Sequence, residues 1–360
     1  MSATAEQDAL RSELRRFLGR TAGHQEVRDR IAVADPHDAG TWRVLAGQFA
    51  LSGLGVAEEF GGVGGGWAEL VLAFEELGAT LLPSPLFATR ALTITALSES
   101  GDRAICAEFL PGLAAGELQG TLVTGAAGVR GRQVGSDVVL DGRADFVLDG
   151  ATADLVVVPA QLEDGLALVV VTPGATGLGR ERRPVVDPTR PAARLVFDGV
   201  AARRLQVAAG AETLLRRTTD LACVALAAEQ LGGAQRCLDL TVAFVKERLA
   251  FGRPVGSFQA VKHACADVLL EIDALRPAVE EAGRLSDTDP GELAALVPVL
   301  AAHAAEAYCR AAAACVHLHG GMGFTWEHPA QLYYKRAMTS ARLFGDAHSH
   351  RERSAAALLG

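Results

Sequence analysis

Residues 246–263 read KERLAFGRPVGSFQAVKH, and residues 316–346 read VHLHGGMGFTWEHPAQLYYKRAMTSARLFGD. The first stretch closes one long helical pattern, Glu212 to Arg248, breaks at Gly252, Pro254 and Gly256, and opens a second, Ser257 to about Ser286. A third pattern runs from Pro290 to Val316, and the second quoted stretch ends in a fourth, around Pro329 to Phe344. Helices this long, apolar over much of their circumference, are normally buried between neighbours or subunits.

Upstream, between Gly120 and about Val207, the texture changes to short β-branched or alternating runs: Gln133 to Leu140, Asp145 to Leu148, Leu155 to Val158, Leu166 to Val171 and Ala193 to Phe197. Asp141-Gly142 and Asp198-Gly199 read as turns, so this part is expected to be a small antiparallel β-domain. From Ala5 to about Glu117 the pattern is helical again, with Leu10, Leu14, Phe17 and Leu18, and later Leu70, Val71, Phe74 and Leu77, at helical spacing. The glycine run at 61–66 lacks the Gly-Lys-Ser/Thr ending of a phosphate loop and follows no clear strand, so it reads as a helix connection. The order α, β, α gives an α+β class with expected domains at 1–118, 119–207 and 208–360.

With 360 residues and 49% apolar side chains the chain can bury a large core. A net charge of −9 argues against a nucleic-acid face. The six cysteines form no C-x-x-C pair and sit mainly in Ala/Leu-rich segments, which fits a reduced cytoplasmic setting. The N-terminus has no basic region leading into an apolar one, and no apolar run is read as approaching the roughly 20 residues of a membrane span.

Several strings resemble the acyl-CoA dehydrogenase family. Leu54 to Gly62 is similar to its Gly-Leu-x-x-Pro-Glu-x-Tyr-Gly-Gly connection, and Phe74 to Gly78 to its Glu-Glu-Leu-Gly element. Most specific is 246–263, which matches Arg-x-x-Phe-Gly-x-x-[Ile/Val]-x-x-[Phe/His]-Gln. The resemblance covers nearly the whole chain and implies a helical N-terminal domain, a central β-domain, a C-terminal four-helix bundle, assembly of four chains, and FAD as cofactor. It implies flavin contacts from Arg248, Phe251, Gly252 and Gln259, and from His317, Gly320, Gly321 and Gly323. A planar guanidinium suits a pyrophosphate bidentately, and glycines let backbone N–H groups approach phosphate. Arg248 could equally be a solvated charge at a helix end. His317 stands where the family has Gln; it can still donate a hydrogen bond but also titrates.

The family's reaction needs a carboxylate to take the α-proton. Its two expected positions are Phe344, in place of the Glu of a Glu-Gly pair, and Ala222, so the base is unknown. Asp346 is a weak candidate, better explained as a cap or ion-pair partner, and Glu229 a weaker one. In the β-domain, Leu122 to Arg130 lacks the family's Thr-Glu-Pro-x-x-Gly-Ser-Asp, and Phe146-Val147-Leu148 replaces Trp-[Ile/Val]-[Ser/Thr]. The chain thus resembles the base-deficient subunit of a heteromeric bacterial enzyme. The implied partners are a homologous subunit with an intact Glu-Gly, an acyl-CoA that could be steroid-derived, and an electron-transfer flavoprotein. Two other readings stay open: a self-sufficient flavoenzyme with an unconventional base, and a non-catalytic structural paralogue.

Overall fold

The computed structural model describes residues 4–125 and 128–359. Helices α1 (Ala5–Thr21), α2 (His24–Ile31), α3 (Ala39–Arg43), α4 (Trp67–Thr80), α5 (Thr95–Ser100) and α6 (Arg103–Ala114) precede the strands. These are β1 (Gly120–Leu122), β2 (Gly128–Val134), β3 (Asp137–Leu148), β4 (Leu155–Leu162), β5 (Gly165–Val171), β6 (Leu178–Arg182) and β7 (Ala192–Arg204). Then come α7 (Ala211–Glu247), the short strands β8 (Leu249–Ala250) and β9 (Arg253–Pro254), α8 (Gln259–Thr288), α9 (Pro290–His319), α10 (Ala330–Ser340) and α11 (Ala347–Leu359). The chain divides into two compact units, one of residues 4–34, 67–82 and 223–359, the other of residues 35–66 and 83–222.

The first unit is helical. Leu14 and Leu18 put the apolar stripe of α1 against α4, and α9 packs on α8, α10 and α11. The α4–α7 contact is set by two glycines. A Cβ on Gly78 would lie 2.1 Å from the Glu229 carbonyl oxygen, and one on Gly232 would lie 1.9 Å from that of Glu75. The neighbouring Glu75 and Glu76 are buried, so each carboxylate needs partners. Arg11 lies 2.8 Å from Glu75, Arg15 bonds both oxygens of Glu76 at 2.6 and 2.9 Å, and Arg276 of α8 reaches Glu75. Against expectation, the segment containing α9 is long and apolar enough to cross a membrane by length and composition, and half of its apolar window is buried within the protein. The expected last helix, Pro329 to Phe344, is also corrected: α10 stops at Ser340 and a separate α11 follows.

The second unit carries the sheet, which closes on itself: β4 pairs β2, β2 pairs β3, β3 pairs β7, β7 pairs β5, and β5 returns to β4. Closure removes the exposed edges of these five strands. Its core is the inward set including Val129, Val138, Leu140, Val156, Val158, Val169, Leu195, Phe197 and Val200. The sheet is mainly antiparallel, as expected: two pairings, β1–β4 and β2–β4, are parallel and the other five antiparallel. Asp141-Gly142 lies inside β3, at a register shift against β7. The turn is at Gly135-Ser136, between the paired Val134 and Asp137, within a run read from sequence as one strand. Gly142 is there because its φ is 127° and a Cβ would strike the Gly128 carbonyl oxygen at 2.1 Å.

In the same unit His37 Nε2 lies 3.2 Å from Asp149 Oδ1, with both side chains buried. Burial pulls the imidazole pKa down, but the Asp149 carboxylate outweighs it and the net shift is upward. A raised folded-state pKa makes this pair stabilising below the unfolded histidine value and loses the contribution as pH rises through the folded one. His37→Gln should therefore cost about 1 kcal/mol in urea titrations at mildly acidic pH, with the penalty shrinking at alkaline pH. A penalty that grows with pH contradicts this assignment.

Candidate flavin-contact site

At the end of α7 the Arg248 N–H donates to the Phe244 carbonyl at 2.9 Å, and the chain turns back on itself. Leu249 pairs Pro254 and Ala250 pairs Arg253, leaving Phe251 and Gly252 as a two-residue link. Both are left-handed, with φ of 52° and 77°, the backbone of a tight hairpin whose twist matches its strands. Glycine adopts this freely, whereas Phe251 pays about 1 kcal/mol for it. Its ring is 96% exposed and edge-on to Phe258 at 6.3 Å, and the Arg253 guanidinium lies 4.0 Å over Phe258. Arg248 is exposed and makes no ion pair among the described residues, and Gln259 is exposed at the start of α8.

The second element follows α9. Gly320 has φ 61° and ψ −142°, a region closed to side-chain-bearing residues, and it opens a single turn over 320–324. Nothing lies within 4 Å of a Cβ built on Gly320 or Gly321, so this side of the turn is open, while Gly323 is buried against the Val316 carbonyl. His317 is exposed and lines a cavity of about 510 Å³ with Val316, Phe324, Trp326, Tyr334 and Lys335. The Lys335 ammonium lies 4.2 Å over the Trp326 ring. An open glycine turn and a guanidinium without an internal carboxylate suit the phosphates of a dinucleotide, so these residues fit that end of FAD.

Sequence reasoning missed what lies behind the turn. His319 is buried, with Nδ1 2.7 Å from the Cys315 carbonyl and its ring stacked on Phe244 at 4.5 Å. On its other side is His328, at 4.2 Å, whose Nδ1 accepts the Ala330 N–H at 3.2 Å. Burial and the neighbouring His319 and His24 push His328 down to about 4, so it stays neutral. The only sequence signal was a second histidine in VHLHGG, on the helix face opposite His317.

The base positions are plain. Phe344 is left-handed, φ 62°, before Gly345, φ 118°, so the position where the resemblance places a Glu turns tightly and offers no carboxylate. Ala222 is fully buried on α7. Asp346 is the N-cap of α11: its carboxylate accepts the Ser349 N–H at 2.8 Å and the Ser349 hydroxyl at 2.9 Å. The Ser349 N–H holds its pKa below the usual carboxylate value, the wrong direction for a base at neutral pH. Asp346→Ala should lower the urea midpoint, through loss of the cap, and leave turnover unchanged. A large loss of turnover at unchanged stability would instead make it the base. Glu229 is nearly buried, 3.8 Å from Arg336. Beside Gly345, the space bounded by Cys223, Gln230, Ser340, Leu343 and His350 is only about 10 Å³, too little for more than one water.

In the β unit, Phe146 sits at a register shift with φ 59° and is 47% exposed. Leu148 is buried, and its carbonyl accepts the Thr121 hydroxyl at 2.6 Å. Of the segment Leu122 to Arg130, Ala126 and Ala127 lie outside the described residues.

Residues 208–359 match the family described as acyl-CoA dehydrogenase, C-terminal domain, and residues 4–117 its N-terminal domain. Acyl-CoA dehydrogenase IpdE2 of Mycolicibacterium smegmatis is 34% identical over 343 residues, covering 94% of each chain. The chain belongs to the acyl-CoA dehydrogenase family. The family comprises FAD-binding oxidoreductases that act on CH–CH groups. Among solved structures, the Tcur3481-Tcur3483 steroid ACAD is similar at 30% identity, with a TM-score of 0.89 and 98% of both chains covered. The ChsE4-ChsE5 complex of Mycobacterium tuberculosis is similar at 25% identity, with a TM-score of 0.91 and coverage of 99% of this chain and 98% of that one.

Proposed function

We propose that this chain is one subunit of a heteromeric, FAD-dependent acyl-CoA dehydrogenase that desaturates an acyl-CoA, with a steroid-derived acyl group as substrate class. The carrying observation is the residue at the expected acid position: Phe344 stands before Gly345 with a left-handed backbone, φ 62°, and carries no carboxylate. Ala222 is no acid either, and Asp346 and Glu229 are committed to a helix cap and an ion pair. The α-proton is therefore taken by a carboxylate of a homologous partner subunit. FAD, when bound, supplies the acceptor for the hydride leaving the β-carbon. This chain's part is to hold: Arg248 clamps the pyrophosphate, the Gly320-Gly321 turn presents N–H groups to it, and Phe251 packs beside the adenine, with Gln259 and His317 as flanking polar contacts. Two of the similar structures are a two-component steroid ACAD and a two-component complex, which supports the heteromeric reading and the substrate class. Electrons leave through an electron-transfer flavoprotein, and the assembly works in the cytoplasm.

The test is to purify the chain alone and co-expressed with a homologue that carries Glu-Gly. The expected result is visible flavin absorbance only in the complex, bleached by a steroid-derived acyl-CoA. Tight flavin in the chain alone, bleached by an acyl-CoA, would sink the proposal. Within the complex, Phe344→Ala should leave turnover within about threefold, while replacing the partner's Glu should lower it by about four orders of magnitude. The opposite pattern would return the base to this chain.

A further inference from the structure

The residues proposed to grip the pyrophosphate come from two places far apart in sequence, the hairpin after α7 and the glycine turn after α9. Separate donors hold one anion well only if their spacing is fixed before it arrives, because each loose element must otherwise be ordered on binding. The structure contains a link between them. Phe244, whose carbonyl receives the Arg248 N–H, stacks on His319 at 4.5 Å with 28° between the ring planes. His319 is the residue directly before Gly320, and its own Cβ would lie 3.0 Å from a Cβ on Gly323. His319 thus meets the last turn of α7 through its ring and the floor of the glycine turn through its Cβ.

We propose that His319 is a positioning residue that fastens the Gly320–Phe324 turn to the end of α7, so that Arg248 and the turn's N–H groups form one prearranged phosphate cradle; this rests on the shared-flavin reading above. The groups facing His319 are consistent with a pinned ring. Its own helix offers the Cys315 carbonyl at 2.7 Å and the Cys315 thiol at 3.7 Å. From α7 come the Phe244 ring and the Leu240 carbonyl, with Cys237 and Thr241 close to Cys315. From the segment before α10 comes neutral His328, with His24 beyond it. Burial alone would lower the His319 pKa, yet the Cys315 and Leu240 groups around it turn the net shift upward; the ring is held by its hydrogen bond to the Cys315 carbonyl and by its stack on Phe244 of α7.

The experiment compares His319→Ala, Phe244→Ala, the double variant and His319→Phe in the co-purified complex, by flavin fluorescence titration and by hydrogen exchange at residues 320–324. His319→Ala and Phe244→Ala should each weaken FAD binding about tenfold and speed exchange in the turn, and the double variant should be little worse than either single one. His319→Phe, which retains the stack, should recover binding to within about threefold of the parent. Unchanged exchange in His319→Ala, or single-variant penalties that multiply in the double variant, would overturn the link. Arg248→Ala separates the two readings. It should weaken FAD without changing exchange at 320–324, and if it leaves FAD binding intact the shared-site reading fails while the exchange data still decide the link.

Discussion

Replacing Arg248 by alanine in the co-purified complex should weaken FAD binding by about 30- to 100-fold, the loss of one charge-assisted bidentate contact worth roughly 2–3 kcal/mol. The size follows from the setting. Arg248 is exposed and makes no ion pair among the described residues, so its removal strands no internal carboxylate and its effect falls on the ligand. It lies outside the packed core, which predicts a melting temperature of the flavin-free chain within about 1 °C of the parent, as for surface substitutions generally. Arg248→Lys should recover only part of the affinity, because an ammonium supplies charge without the paired N–H geometry. Raising the salt concentration should narrow the gap between the parent and Arg248→Ala. Titration of the released flavin's fluorescence reads the parent and both variants, and an Arg248→Ala affinity within twofold of the parent would show that this arginine does not touch the cofactor.

The second large effect concerns the scaffold. Gly232→Ala should destabilise the chain by about 3 kcal/mol, although alanine is the better helix former by about 1 kcal/mol. The added carbon would sit 1.9 Å from the Glu75 carbonyl oxygen, so α4 must retreat from α7. That movement also disturbs the bonds from Arg11 and Arg276 to the Glu75 carboxylate. Gly19→Ala is the control: it is a helical glycine on α1 with nothing within 4 Å of its built Cβ, and it should gain about 0.5–1 kcal/mol. Urea midpoints that move in the same direction for both variants would show that helix propensity, not the α4–α7 approach, governs position 232.

The long helices were legible because apolar spacing over many turns leaves little ambiguity, and Arg248 was legible as a helix end. The hairpin beyond it was less so, since nothing in Leu249-Ala250-Phe251-Gly252 announces two left-handed residues. Short elements escaped: β1 has three residues and β6 five, too few for a period to register. Asp141-Gly142 looked like a turn because the same dipeptide that closes hairpins also relieves a crowded strand, and only the approach of Gly128 distinguishes the two. The Glu-Glu-Leu-Gly string read as packing and turn chemistry, but its glycine faces α7 and its acids face three arginines, pairings that no local pattern encodes. The missing acids at positions 222 and 344 needed no structure, being a matter of residue type. The role of His319 did, because stacking on Phe244 joins positions 75 residues apart along the chain.

The Phe251-Gly252 link sets one further property of the assembly. Its left-handed backbone and the Phe258 and Arg253 rests beneath it are formed within the subunit itself, so the cost of shaping this arm is met during folding. In the subunit pairing proposed above, such an arm would dock with little loss of chain entropy. The arm thus presents its aromatic tip, 96% bare, in one fixed shape.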